Sequence, residues 1–202
     1  MRFPPWVWLL LIVALAGMLS HRWTPSALHV PDGVIVATNA PLQTELTRAA
    51  SWQLPGYSIK ALANFEARAR LLSVAWYRMG RESELSPVDL AISWGQMSDS
   101  RNINALSWSH SSRFLSYRYD NAPPIAQSDL NMQVANLHVV PANPQVLKSI
   151  EDLPAGAAVF IKGVLIRADA PDGWYWQSSL SRTDTGAGAC ELIWLTEVRV
   201  QL

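Results

Sequence analysis

The chain has 202 residues, half of them hydrophobic, with 16 basic and 16 acidic side chains and a single cysteine. That length holds one domain of ordinary size plus extra segments. The even charge balance leaves no electrostatic footprint for nucleic acid or for an acidic surface, and one cysteine excludes an internal disulfide.

The N-terminus sets the expected compartment. Arg2 forms a short positive start, and Phe3 to Leu19 carry no charge. At ~1.5 Å per helical residue that run spans roughly 26 Å, the lower limit for a bilayer. Trp6 and Trp8 suit an interfacial belt. Ala14-Leu15-Ala16-Gly17 also resembles a signal-peptidase site. Residues 1–22 therefore read as a membrane anchor or a cleaved signal. Residues 23–32 read as a linker, and 33–202 as one extracytoplasmic domain. The expected location is the bacterial inner membrane, single-pass, with the membrane contacted through residues 3–19.

Within the body, Gly33 to Thr38 is a β-branched run that predicts a strand. Over 63–78, Phe65, Ala67, Ala69 and Leu71 alternate with Glu66, Arg68 and Arg70, which predicts a half-buried strand. The competing signal is helical, from Ala, Leu and the Glu66–Arg70 pair. Ser86, Pro87 and Asp89 start a pattern in which Leu90 and Trp94 share a face, predicting a helix near 87–97. Asn143 and Pro144 open a second helix with Val146, Leu147 and Ile150 as its stripe, ended by Pro154 to Gly156. The C-terminal part predicts three strands joined by a turn at 171–173 and a loop at 182–189, an antiparallel meander. Its last strand has a break in period, and Gly163 marks a bulge or bend in its first. The fold class is α+β: an N-terminal transmembrane helix, then a mainly antiparallel β domain with two or three short helices. An OB-like or other small barrel is the architecture that fits.

Two chemistries attach to the loop at 182–189. Asp184-Thr185-Gly186-Ala187 matches the aspartic-protease tetrapeptide. The residues before it are polar, only 18 follow Asp184, and no second copy exists, so a turn between strands fits better. Cys190 is the candidate nucleophile, with His138 or His110 as base and Asp184 or Asn136 as orienter. No local signature supports that set, and a lone cysteine opening an apolar strand also reads as a small core residue. A ligand-binding surface is the other option, from Trp94, Trp108, Arg113, Trp176 and Arg182 among serines. Histidine spacing gives no metal site, and no cofactor is expected.

Several segments are familiar together: LSPVDLAISWGQMSD, SHSSRFLSYRY, VANLHVVPAN and WQSSLSRTDTGAGACELIWL. They resemble a family of bacterial membrane-anchored or exported proteins over residues 60–198. Typical members carry Ser-Gln-Ser-x-Arg where this chain has Ser109 to Arg113, and a histidine near Gln133, so a two-histidine site around Asn136 and His138 is not implied. The resemblance implies compartment and domain limits and no reaction. The leading expectation is a non-catalytic binding or assembly module of the cell envelope, its partner an envelope protein or small ligand and not nucleic acid. The alternative is a cysteine-dependent hydrolase or transferase using Cys190 and His138.

Overall fold

A computed structural model describes residues 27–181 and 190–201. The architecture is built around one long strand, β3 (Tyr57–Trp76), whose alternate residues from Tyr57 to Leu71 are buried. Here the period-two pattern prevails over the helical propensity, because alternate Ala, Phe and Leu side chains fill one face of a sheet. The other strands are β1 (Leu42–Thr44), β2 (Ser51–Leu54), β4 (Val88–Ser93), β5 (Ser107–Ser111), β6 (Phe114–Arg118), β7 (Val134–Pro141), β8 (Ala158–Asp169), β9 (Tyr175–Gln177) and β10 (Glu191–Val200). Four short helices intervene: α1 (Arg81–Leu85), α2 (Ser100–Asn104), α3 (Gln127–Asn131) and α4 (Pro144–Glu151). The fold is thus β-rich α+β and mainly antiparallel, with four short α-helices rather than two or three among the described residues.

The pairings run in a closed circuit. β3 pairs with β4, β4 with β7, β7 in parallel with β10, β10 with β8, and β8 back with β3. Inside the circuit lie Phe65, Leu71, Leu90, Val139, Ile161 and Ile193. β1 and β2 flank β3, β9 extends from β8, and β5 with β6 forms a separate hairpin. Helix α4 starts as its sequence predicts, with Asn143 Oδ1 accepting from the Val146 amide at 2.9 Å.

Three expectations are corrected. The helix near 87–97 is strand β4 followed by a 3-10 turn at Gly95–Ser98. Every residue of β4 is buried, and ladders to β3 and β7 hold both its edges; burial on both faces removes the polar alternation that marks a strand. The expected strand at 33–38 does not form. That segment is held by side chains instead: the Gly33 amide donates to Asp99 Oδ1, and the Ala37 amide to Ser98 Oγ. The C-terminal meander is also rearranged, because β10 passes over β9 and pairs with β8 and β7. The break expected in the last strand falls between Leu195 and Glu197. Gly163 sits where a Cβ would collide with the Trp194 carbonyl, so it serves close backbone approach.

The expected anchor (3–19) and the loop at 182–189 lie outside the described residues. No helix among the described residues is long and apolar enough to cross a membrane. The segment read as a linker is tied to the domain from Leu28, whose amide donates to the Ala155 carbonyl at 2.8 Å.

Candidate functional site

Strand parity places the polar residues. On β4, Val88, Leu90 and Ile92 face the interior, so Asp89, Ala91 and Ser93 face outward. On β7, Leu137 and Val139 face inward, which turns Asn136 and His138 outward. A register shift on β3 between Leu71 and Ser73 lets Ser73 join the same outer face. Two cross-strand rows result: Ser73–Ala91–Asn136 and Ala75–Asp89–His138. Cys190 precedes the Glu191–Leu137 pair by one residue, which sets it beside Asn136.

A hairpin closes over these rows. β5 and β6 turn at Ser112 and Arg113, both at positive φ (51° and 70°). Neither residue is glycine or asparagine, and each left-handed position costs about 1–3 kcal/mol. The turn delivers Arg113 into the site. Its Nη1 donates to Asp89 Oδ1 at 2.8 Å, and its Nη2 to the Ser86 carbonyl at 2.8 Å. The guanidinium stacks 3.9 Å from the Tyr77 ring centroid. Arg113 also accepts from Asn136 Nδ2 at 3.0 Å, and its amide donates to Tyr77 Oη at 3.1 Å. His138 Nδ1 lies 3.0 Å from Asp89 Oδ1, and the His138 ring packs 4.8 Å from Trp176. From β5, His110 Nδ1 is 2.7 Å from Ser73 Oγ.

Asp89 is thus a fully buried carboxylate with two nitrogen partners on one oxygen. No well-aligned hydrogen bond reaches its second oxygen, Asn136 Oδ1 or His110 Nε2, but the Tyr77 hydroxyl lies within reach of the Asp89 carboxylate and the His110 ring within reach of the Asn136 amide. Burial pushes the His110 imidazole below its usual range, against an upward pull from Asp89 and the nearby Asn136 amide. Burial, Glu191 and Asp89 push the Cys190 thiol up to about 11, with the Asn136 amide pulling the other way. At pH 7 that leaves about one thiolate in ten thousand, the reverse of the electropositive setting of a reactive cysteine.

Among the sequence-based candidates, Cys190, His138, Arg113 and Trp176 come together here. The expected Cys190–His138 partnership is not the contact that forms: His138 gives Nδ1 to Asp89, and Cys190 stands with Asn136. Trp94 belongs to the interior core, and Trp108 packs edge-on against Tyr117 in a separate cluster. The expected single surface of Trp94, Trp108, Arg113 and Trp176 is therefore divided. Arg182 and Asp184 lie outside the described residues. The residue missed is Asp89, because a helical reading put it in a solvated first turn. A strand reading of Val88 to Ile92 would have set it opposite the apolar face. The rim is braced by Arg81, which grips Asp172 through both carboxylate oxygens at 2.7 and 2.9 Å and lies over Trp174.

Comparison with family models, curated proteins and solved structures finds no match for the chain.

Proposed function

We propose that the chain is a non-catalytic binding or assembly module of the bacterial envelope, held to the inner membrane through residues 3–19. Its ligand face is the outer side of β4 and β7. The observation that carries this reading is the pair of buried polar rows roofed by a strained hairpin, beside a thiol kept protonated. Strain persists at positions where the surroundings over-determine it, and such positions cluster at ligand clamps.

The strand circuit adds support by analogy. Read from β3, the order β3-β4-β7-β10-β8, with a parallel β7–β10 pair and a helix between β7 and β8, corresponds to an OB-like barrel. Such barrels bind ligands on their second and third strands and the adjoining loops. Those strands are β4 and β7 here. The uncharged run from Phe3 to Leu19 in the 1–22 segment supports the compartment.

The test uses the full chain in cells. Met79, 91% exposed, becomes a reporter as Met79→Cys in a Cys190→Ser background. A membrane-impermeant maleimide is expected to label it in spheroplasts, with the protein staying in the pellet after an alkaline wash. Labelling only after lysis would overturn the location. Cys190→Ser is also expected to complement a deletion strain as wild type does, and a variant as defective as the deletion would replace the binding reading with cysteine chemistry.

A further inference from the structure

The outer face of β7 runs on past its polar residues into an apolar hollow. Val140 keeps the outward parity of Asn136 and His138, and its β10 partner Trp194 faces the same way, together with Leu192. The hollow holds about 590 Å³, within the roughly 300–1,000 Å³ of ligand sites. Tyr57, Leu85 and Val140 are its buried wall, while Leu54, Leu147 and Trp194 stay half-exposed around it. The hairpin above the polar rows braces one side, because Arg113 Nη2 holds the Ser86 carbonyl between the lining residues Leu85 and Pro87.

The charge around the hollow has one sign. No basic side chain lines it, and its one carboxylate, Glu84, is exposed at the lip. Helix α1 carries Glu82 and Glu84 in its first turn and no basic residue in its last. The cations of the two flanking helices are committed: Arg81 of α1 grips Asp172, and Lys148 of α4 pairs with Asp152. The start of α4 offers no anion site either, since Pro144 lacks an amide hydrogen and Asn143 Oδ1 already takes the Val146 amide. A guest therefore suits this place with an apolar body and a cation beside it. The exposed lip favours a protein segment over a small molecule. A small ligand buries most of its surface in its site, whereas a segment of a partner covers the half-exposed apolar lining as well as filling the floor.

We propose that this hollow docks a protein segment that presents an aliphatic side chain flanked by lysine or arginine. The proposal rests on the binding reading above and names its partner chemistry. The aliphatic group fills the floor at Tyr57, Leu85 and Val140, and Leu147 and Trp194 flank it. The neighbouring cation meets Glu84, with Glu82 adding to the field. An exposed ion pair adds little affinity, so burial in the hollow holds the segment and the glutamates select its charge.

The test places the full-length protein in lipid nanodiscs, because detergent would itself enter an apolar hollow. The Leu54 and Val140 methyl groups are followed by NMR. The probes are three acetylated and amidated peptides at equal ionic strength: Lys-Leu-Leu-Lys, Glu-Leu-Leu-Glu and Lys-Ser-Ser-Lys. A saturable shift with the Lys-Leu-Leu-Lys peptide is expected, at least tenfold weaker with Glu-Leu-Leu-Glu and absent with Lys-Ser-Ser-Lys. Glu84→Lys, a change at an exposed position, should reverse the order of the two leucine peptides, and Leu147→Gln should weaken the Lys-Leu-Leu-Lys peptide at least tenfold. An equal response to Lys-Leu-Leu-Lys and either other peptide, or no response, overturns the proposal. If Leu147→Gln fails to fold, the three peptides on the native chain still decide. A Cys190 that proves catalytic defeats the binding reading, whereas loss of peptide discrimination with an inert thiol defeats the docking hollow alone.

Discussion

Arg70 and Asp89 are both buried charges, on paired strands β3 and β4, and they are satisfied in different ways. Arg70 gives Nη1 to the Ser98 carbonyl at 3.4 Å and Nη2 to Ser100 Oγ at 3.2 Å, with Asp99 as counter-charge. Ser100 in turn donates to the Val30 carbonyl at 2.6 Å, and Asp99 accepts from the Gly33 and Arg101 amides. That network latches the N-terminal segment to α2 through backbone groups, and one buried Arg70 atom, Nε, goes unbonded. The Asp89 network instead joins side chains from β4, the β5–β6 turn and β7, and sits beneath two left-handed residues. One cluster ties an N-terminal segment to α2, and the other gathers side chains on the outer face of β4 and β7.

The contrast is broken most severely at Asp89. Asp89→Ala leaves Arg113 and His138 buried without their carboxylate, and the expected loss is about 3–5 kcal/mol in urea unfolding. Asp99→Ala removes a helix cap and the Gly33 bond, and about 1–2 kcal/mol is expected. Equal losses at the two positions would erase the distinction.

Protonation separates the two clusters further. Burial holds the folded Cys190 thiol at a pKa of about 11, above the 9.0 of an unperturbed thiol. The folded state therefore holds a proton that the unfolded chain releases between those values. The stabilisation is complete below pH 9 and lost as pH rises towards 11, so chemical denaturation midpoints should fall across that window and flatten in Cys190→Ala. His110 acts in the opposite sense: its lowered pKa contributes stability above the unfolded value of about 6.5, which is lost as pH falls below it. A His110→Phe variant that folds should lack that acid limb.

The smallest effect expected is at the hairpin tip. Ser112→Gly relieves a left-handed serine at φ 51°, and a gain of about 0.5–1 kcal/mol is expected by thermal denaturation. An unchanged or lowered Tm would remove backbone strain from the account of the site.

Much of the scaffold was readable in the sequence because local signals and tertiary demands agree there. Alternation along Phe65 to Leu71 marks β3, the Asn143–Pro144 start marks α4, and the turn at 171–173 separates β8 from β9. The site was legible only in pieces. Ser86, Pro87 and Asp89 imitate a helix start, whereas β4 is fixed by ladders to strands about 18 and 46 residues away in the chain. Asp89 changes meaning with that choice, from a solvated helix residue to a buried outward carboxylate. The β5–β6 turn is equally silent, since Ser112-Arg113 carries none of the glycine or asparagine that advertises such a turn. Its partners come from β3, β4 and β7, and only closure of the circuit brings them together.

The protonation of Cys190 tests the central claim most directly, because the account needs a binding site with a neutral thiol and the rival needs a thiolate. The chain has one cysteine, so selective 13Cβ labelling gives one signal that reports its ionisation. The account predicts no titration below pH 9 and a midpoint near 11. A midpoint at or below about pH 7, within the range of activated cysteines, would contradict it.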